Sequence, residues 1–214
     1  TAAADVLLDL HQHPLPEDLK PYGPIMAEMG ALAVKWYAGN TDAVSAFQAA
    51  LETVLSHISR AKPVLIQRDY HAENLLWLPR RTGSARVGLL DYQDAMSGHP
   101  AYDLMSLLED ARRDVSHGLA KAMIERFLLA RPDLDRQMFR DGYDALGAQR
   151  NAKIIGIFAR LSRRDGKPRY LPMIPRVWSA MERDLSHPAL GPVAEWFAQN
   201  IPDDIRARKG GILG

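Results

Sequence analysis

The residues most capable of chemistry lie between Ile66 and Leu104. Asp69 and Asn74 share one short polar stretch, Arg68-Asp69-Tyr70-His71-Ala72-Glu73-Asn74, and Asp91 stands at the end of a later apolar run. A carboxylate within hydrogen-bond reach of a hydroxyl can take or orient its proton. An amide oxygen and a second carboxylate together suit Mg2+, a hard cation that takes oxygen ligands and keeps several waters. With a phosphate-bearing donor, that set could move a phosphoryl group to an alcohol. The plainer alternative is two acidic turns flanking a hairpin.

Elements must exist to position these groups. Val64-Leu65-Ile66 and Val87-Gly88-Leu89-Leu90 are short apolar runs, each ending on a polar cluster that contains an Asp. Between them lie Leu75-Leu76-Trp77-Leu78 and a turn at Arg80-Arg81-Thr82-Gly83-Ser84. Short β-type runs bounded by turn residues predict strands, here a hairpin. Asp69, Asn74 and Asp91 would then converge at one end of a small sheet. The rest of the chain reads as helix. Apolar spacing predicts helices over 2–11, 25–38, 43–60, 104–114, 118–130, 135–164, 174–185 and 188–200. Asn40-Thr41-Asp42 offers an N-cap for the third, and Asp165-Gly166-Lys167-Pro168 ends the longest. The expected class is α+β, mainly helical, with one domain over 1–205 and a basic, Gly-rich, flexible tail over 206–214.

The pattern Arg68-Asp69-x-x-x-x-Asn74 resembles the catalytic loop of kinases. The whole stretch resembles the aminoglycoside phosphotransferase family, which has a protein-kinase-like fold. That family shows H-G-D-x-x-x-x-N, an apolar run ending I-D, then G-D/H-P-x-x-D-L. Here these read Gln67-Arg68-Asp69 to Asn74, Leu90-Asp91, and Gly98-His99-Pro100-Ala101-Tyr102-Asp103-Leu104. Gln67 replaces the usual His, at a position that braces the loop. A more specific resemblance is to the bacterial anomeric kinases of N-acetylmuramate and N-acetylglucosamine. It rests on R-D-Y-H-x-x-N-L, L-D-Y-Q-D-A, Y-D-L-x-S-L-L-x-D-A and the block over 154–171.

The resemblance implies ATP and Mg2+ as cofactors and a kinase-like C-terminal lobe. It implies Asp69 as catalytic base, with Asn74 and Asp91 as metal and nucleotide ligands. Arg68, Asp94 and Asp103 become supporting residues, Asp103 as the buried aspartate behind the loop, pairing Arg68. Asp94 serves equally well as a helix N-cap. His71, Arg163 and Arg169 are candidate substrate contacts, set against a packed loop His and a solvated basic turn. Trp36, Tyr92, Trp178 and Trp196 could stack on a sugar face or fill the core. His11 and His13 read as solvent-facing imidazoles in a Pro-terminated loop rather than as metal ligands.

Composition sets the outer limits. A chain of 214 residues, 47% hydrophobic and 25% charged, can bury one sizeable core. A net charge of +1 gives no field for nucleic acid or an anionic membrane. With no cysteine, disulfide frameworks and thiolate metal sites are excluded, which fits a cytoplasmic protein. A polycationic aminoglycoside would demand a strongly acidic pocket, so near-neutrality favours a neutral or anionic sugar. A catalytically silent binding module is the rival of another class, but Asp69 and Asp91 are both present. The Gly-rich phosphate cover and the strand Lys of kinases are not found, and Ala31-Leu32-Ala33-Val34-Lys35 sits in a helical pattern. The expectation is therefore a C-lobe whose N-lobe, roughly 100 residues if of ordinary domain size, precedes Thr1, and a fragment inactive by itself.

Overall fold

The computed structural model describes residues 1–211 and is mainly helical, with short antiparallel strands. The chain divides into two compact units, Thr1–Tyr22 with Ala61–Tyr143, and Gly23–Arg60 with Asp144–Gly214. The sequence alone suggests one domain over 1–205.

In the first unit, β1 (Val64–Ile66) pairs with β4 (Met96–Gly98), Val64 opposite Gly98. β2 (Leu75–Trp77) pairs with β3 (Val87–Leu89), Leu75 opposite Leu89. The expected hairpin is β2–β3. β1 pairs instead with a strand of sequence Met-Ser-Gly, which carries almost no β signal of its own. Gly98 leaves room there for the Ile66 side chain, whose Cδ1 comes within 2.5 Å of where a Cβ would stand. Backbone bonds from Ser97 N to Lys20 O and from Tyr22 N to Ser97 O, both 2.9 Å, dress the other edge of β4.

Around these sheets lie α1 (Ala2–Leu10), α4 (Tyr102–Leu108), α5 (His117–Ala130) and the start of α6 (Arg136–Arg163). α4 stops several residues before the expected 114, because the Asp110 side chain accepts the Arg112 amide at 3.0 Å and closes a local turn. Ser116 caps α5 by accepting the Leu119 amide at 3.3 Å. His11 is not solvent-facing. Its ring meets Phe127 edge-on at 5.9 Å, and Phe127 stacks on Phe139 at 5.4 Å. His99 flanks Phe139 at 6.4 Å. Burial pushes both imidazoles down to about 4, with the Arg131 charge adding to the effect on His11.

The second unit holds α2 (Met26–Gly30), a π-helical turn (Ala33–Tyr37), α3 (Val44–Ile58), α7 (Ile174–Leu185), α8 (Gly191–Asn200) and α9 (Asp203–Arg206), with the remainder of α6. The helix expected over 25–38 is thus split. The split falls where Gly156 of α6 crosses Leu32 and Ala33 so closely that a Cβ would lie 2.2 Å from the Leu32 carbonyl carbon. The core is aromatic: Phe47 meets Trp196 at 4.8 Å and Phe197 at 5.2 Å, and Trp178 meets Phe197 at 5.5 Å. α6 ends at Arg163, and the chain turns away at Gly166, with φ of 63°, where Lys167 N returns to Leu161 O at 2.9 Å. The Tyr37 hydroxyl donates to the carbonyls of Ile205 (2.9 Å) and Arg208 (2.8 Å), and Arg163 donates to Gly210 O at 2.6 Å. Residues 206–211 of the tail are thereby anchored; its last three, 212–214, lie outside the described residues. No helix among the described residues is long and apolar enough to cross a membrane.

Gly156→Ala should destabilise the protein by about 1–3 kcal/mol, although Ala is the better helix former. Gly118→Ala, in open space in α5, should be neutral or stabilising by up to ~1 kcal/mol. Urea midpoints of the two variants check the contrast. The histidines make a pH prediction. Their folded pKa values, about 4, lie below the ordinary 6.5, so the unfolded chain binds more protons between those limits. Stability should fall as pH drops from 6.5 to 4, by up to ~1.4 kcal/mol per pH unit for each group, and be independent of both above that window. His11→Leu should flatten the slope measured by urea unfolding at pH 7, 6 and 5.

Candidate active site

β1 delivers the chain to Gln67, and from there the path is set by one carboxylate. Asp103, fully buried in the first turn of α4, accepts the Gln67 amide on Oδ2 at 2.6 Å and the Arg68 amide on Oδ1 at 3.1 Å. Arg68 has φ of 69°, in the left-handed region that side chains disfavour, at a cost of about 1–3 kcal/mol. Its guanidinium lies over the Tyr22 ring at 5.2 Å and donates to Asp94 O at 3.2 Å. Asp103 therefore supports residue 68 through its backbone amide, where the sequence suggested a pairing of side chains. Tyr70, also buried, donates its hydroxyl to Ala3 O at 2.8 Å, tying the loop to α1. Burial raises the Tyr70 pKa, and the Asp103 charge raises it further, so the hydroxyl stays a donor.

The loop then folds on itself. The His71 amide donates to Asp69 O at 3.1 Å, and a 3-10 turn over Ala72–Asn74 follows. The Asn74 side-chain amide donates to Asp69 O at 3.0 Å, and the Leu90 amide donates to Asn74 O at 2.9 Å. The second bond extends the β2–β3 pairing by one step and brings Asp91, the next residue, to the same end of the hairpin as Asn74 and Asp69. Asp91 has φ of 57°, and its Oδ1 accepts from Gln93 Nε2 at 2.5 Å. Arg68 and Asp91 are the non-glycine residues with positive φ among those described, and both flank this loop.

Three oxygens remain to do chemistry. The half-buried Asp69 carboxylate has no side-chain bond among the described residues. Asn74 uses its nitrogen inward, which leaves Oδ1 outward. Asp91 is exposed, with Oδ2 open. An amide oxygen and a carboxylate oxygen fit Mg2+, which needs few protein ligands when phosphates and waters fill the rest. No trio of His, Cys, Asp or Glu among the described residues is placed to hold a metal, so a cation here depends on that mixed pair.

The other candidates divide. Asp94 closes a short 3-10 turn, Tyr92–Asp94, and contributes its carbonyl to Arg68. His71 is buried. Arg163 and Arg169 belong to the second unit. The Arg163 guanidinium donates to the carbonyls of Trp36 and Gly210, and Arg169 stacks on Tyr170 at 5.0 Å. Trp178 and Trp196 are core residues, while Tyr92 is 65% exposed beside Asp91. Sequence reasoning passed over Arg112, whose Nε meets Glu73 at 3.0 Å while its amide holds Asp110. It also passed over Tyr22 beneath Arg68, and Gln93 against Asp91. Arg112 follows directly on the Asp110-Ala111 pair of the sugar-kinase motif, the one signal that could have found it.

Comparison with known proteins adds a family. The family model described as phosphotransferase enzyme family matches residues 1–139. An N-acetylmuramate/N-acetylglucosamine kinase of Caulobacter vibrioides is 45% identical over 223 residues, covering 96% of this chain and 61% of the relative. A Pseudomonas putida protein of the same name is 31% identical, covering 92% and 61% respectively. One from Neisseria meningitidis serogroup B is 35% identical over 64% of this chain and 41% of its own length. The chain spans about three fifths of the length of the first two relatives, 61% in each case.

The arrangement around Asp103 predicts that Asp103→Ala, which leaves a buried and a half-buried amide without acceptors, lowers stability by about 3 kcal/mol. The amides of Gln67 and Arg68 should lose their protection from hydrogen exchange. Unchanged protection of both would mean that the loop is held by something else.

Proposed function

This chain belongs to the phosphotransferase enzyme family, and on that premise we propose that it serves an ATP-dependent kinase of an amino sugar. The acceptor is the anomeric hydroxyl of N-acetylmuramate or N-acetylglucosamine, and the enclosing architecture is kinase-like. The two sugars are carried over from the names of the relatives, ATP and the anomeric position from the family resemblance, and the transfer from the loop. The single observation supporting it most is the pair of bonds on Asn74, to Asp69 O and from Leu90, because with them Asp69, Asn74 and Asp91 share one end of a hairpin.

Asp69 takes or orients the proton of the attacking sugar hydroxyl. As the new oxygen–phosphorus bond forms, the bond from the γ-phosphorus to the β–γ bridging oxygen breaks, and ADP leaves with that electron pair. A loose transition state needs positioning more than strong basicity, so a fixed loop matters more than a shifted pKa. Asn74 Oδ1 and the Asp91 carboxylate would hold Mg2+, which when bound would neutralise phosphate charge. Asp103 and Arg68 hold the loop. Arg112, through Glu73, holds the turn that carries Asn74. Exposed Tyr92 and buried His71 stay candidates for contact with sugar or phosphate. Arg163 and Arg169 lie in the second unit, and Arg163 is already engaged with backbone carbonyls.

Coupled measurement of ATP consumption by the natural full-length protein, over a panel of amino sugars and aminoglycosides, tests the reading. Turnover with the two N-acetyl sugars and none with aminoglycosides is expected. Asp69→Asn should lower kcat by roughly two to four orders of magnitude, the span for losing a general base, and Asp91→Ala should abolish Mg2+-dependent turnover. Near-normal rates in either variant would remove that residue from its role.

A further inference from the structure

The second unit carries two buried cations that the transfer chemistry does not use. From Ala145 to Lys153, α6 is buried at every position. A helix so enclosed is most stable when apolar, yet Gln149, Arg150, Asn151 and Lys153 follow almost without interruption. Two of these have partners within the unit. Gln149 Nε2 donates to Met26 O at 2.8 Å, and Asn151 Nδ2 donates to Asp184 Oδ2 at 3.0 Å. The other two do not. Arg150 is 3% exposed and Lys153 is 7% exposed. Neither has an ion pair or side-chain hydrogen bond among the described residues, and Arg150 Nη1 is sealed from solvent with no acceptor.

Helix geometry puts these two together. Gly147 and Asn151 face Asp184, and Gln149 and Gly156 face the segment from Met26 to Ala33. Arg150 and Lys153, three apart, lie on a further face, about 60° from each other around the axis and within a turn. Half-buried Ile154 and Ile157 border that face. The Lys153 ammonium and the rest of the Arg150 guanidinium are not among the sealed unpartnered atoms, so these donors keep access to a small ligand. Two like charges held on one helix face and mostly withdrawn from water, with no ion pair to either, are a standing destabilisation. A guanidinium and an ammonium in that state match one chemical class, an oxyanion accepting from both.

We propose that Arg150 and Lys153 form an oxyanion subsite within the second unit, for the carboxylate or phosphoryl group of a small molecule. The basic loop over 163–170 is the more obvious candidate by charge, but Arg163 there is engaged by backbone carbonyls. The buried pair has no such engagement. This assignment stands apart from the transfer reading, since binding alone tests it.

The test is calorimetric and thermal-shift binding by the natural full-length protein, with Arg150→Met and Lys153→Met as variants of similar volume. The probes are N-acetylmuramate as a sugar carboxylate, N-acetylglucosamine as its neutral counterpart, inorganic phosphate and ATP. Each variant should lose at least about tenfold in affinity for one anionic probe, keep its affinity for N-acetylglucosamine, and melt no lower than wild type without ligand. A loss confined to N-acetylmuramate identifies a carboxylate, and a loss for phosphate or ATP identifies a phosphoryl group; either supports the subsite. Unchanged affinity for all three anions overturns it. Ligand-free melting several degrees below wild type in both variants also overturns it, because the cations would then be internal supports.

Discussion

A single carboxylate sets the loop that the chemistry depends on. Asp103 has no exposed surface, and it spends both oxygens on consecutive amides, those of Gln67 and Arg68. Consecutive amides point to the same acceptor only where the backbone turns sharply, and the turn here is the left-handed conformation of Arg68. The carboxylate and the strained residue thus require each other. Without the anion the amides would be unpaired, and without the turn they would diverge. Asp69 is the next residue, so its direction follows from that turn.

Strain in this protein is placed rather than scattered. Arg68 and Asp91 hold positive φ at the two chain segments that bring Asp69 and Asn74 beside the end of β3. Asp adopts that conformation more readily than most residues, which lightens the second case. The first is offset by Asp103 below and by Tyr22 and the Asp94 carbonyl, which hold the guanidinium. Asn74 is the hinge between the two segments, since it bonds back to Asp69 and across to Leu90.

The sequence made the loop legible because its signals are local. Asp69, Asn74 and Asp91 sit next to short apolar runs, and the β2–β3 register follows from the turn between them. What was hidden is long-range. β4 is Met-Ser-Gly, and only its partner Ile66 and the segment through Tyr22 make it a strand. The break in the helix over 25–38 comes from the backbone approach of Gly156, far along the chain. His11 reads as a loop residue until Phe127 is placed against it. Asp103 could be picked out as buried support, but that it would act on an amide and not on the Arg68 side chain depends on a dihedral that no composition reveals.

The order in which the chain is made meets an obstacle in how the second unit is assembled. Its early piece, residues 23–60, shares its unit with residues beyond 143. Phe47 waits for Trp196 and Phe197, and Tyr37 waits for the carbonyls of Ile205 and Arg208. At cellular elongation rates that interval is roughly 8 to 30 s. Throughout it Phe47 and Leu51 of α3 have only the early piece itself, with Gly30 of α2 beside them, for cover, while the first unit, complete by Tyr143, is free to fold. In a nascent chain of this design the loop is complete long before the second core, and a ribosome that stops before Trp196 leaves Phe47 without either ring it meets.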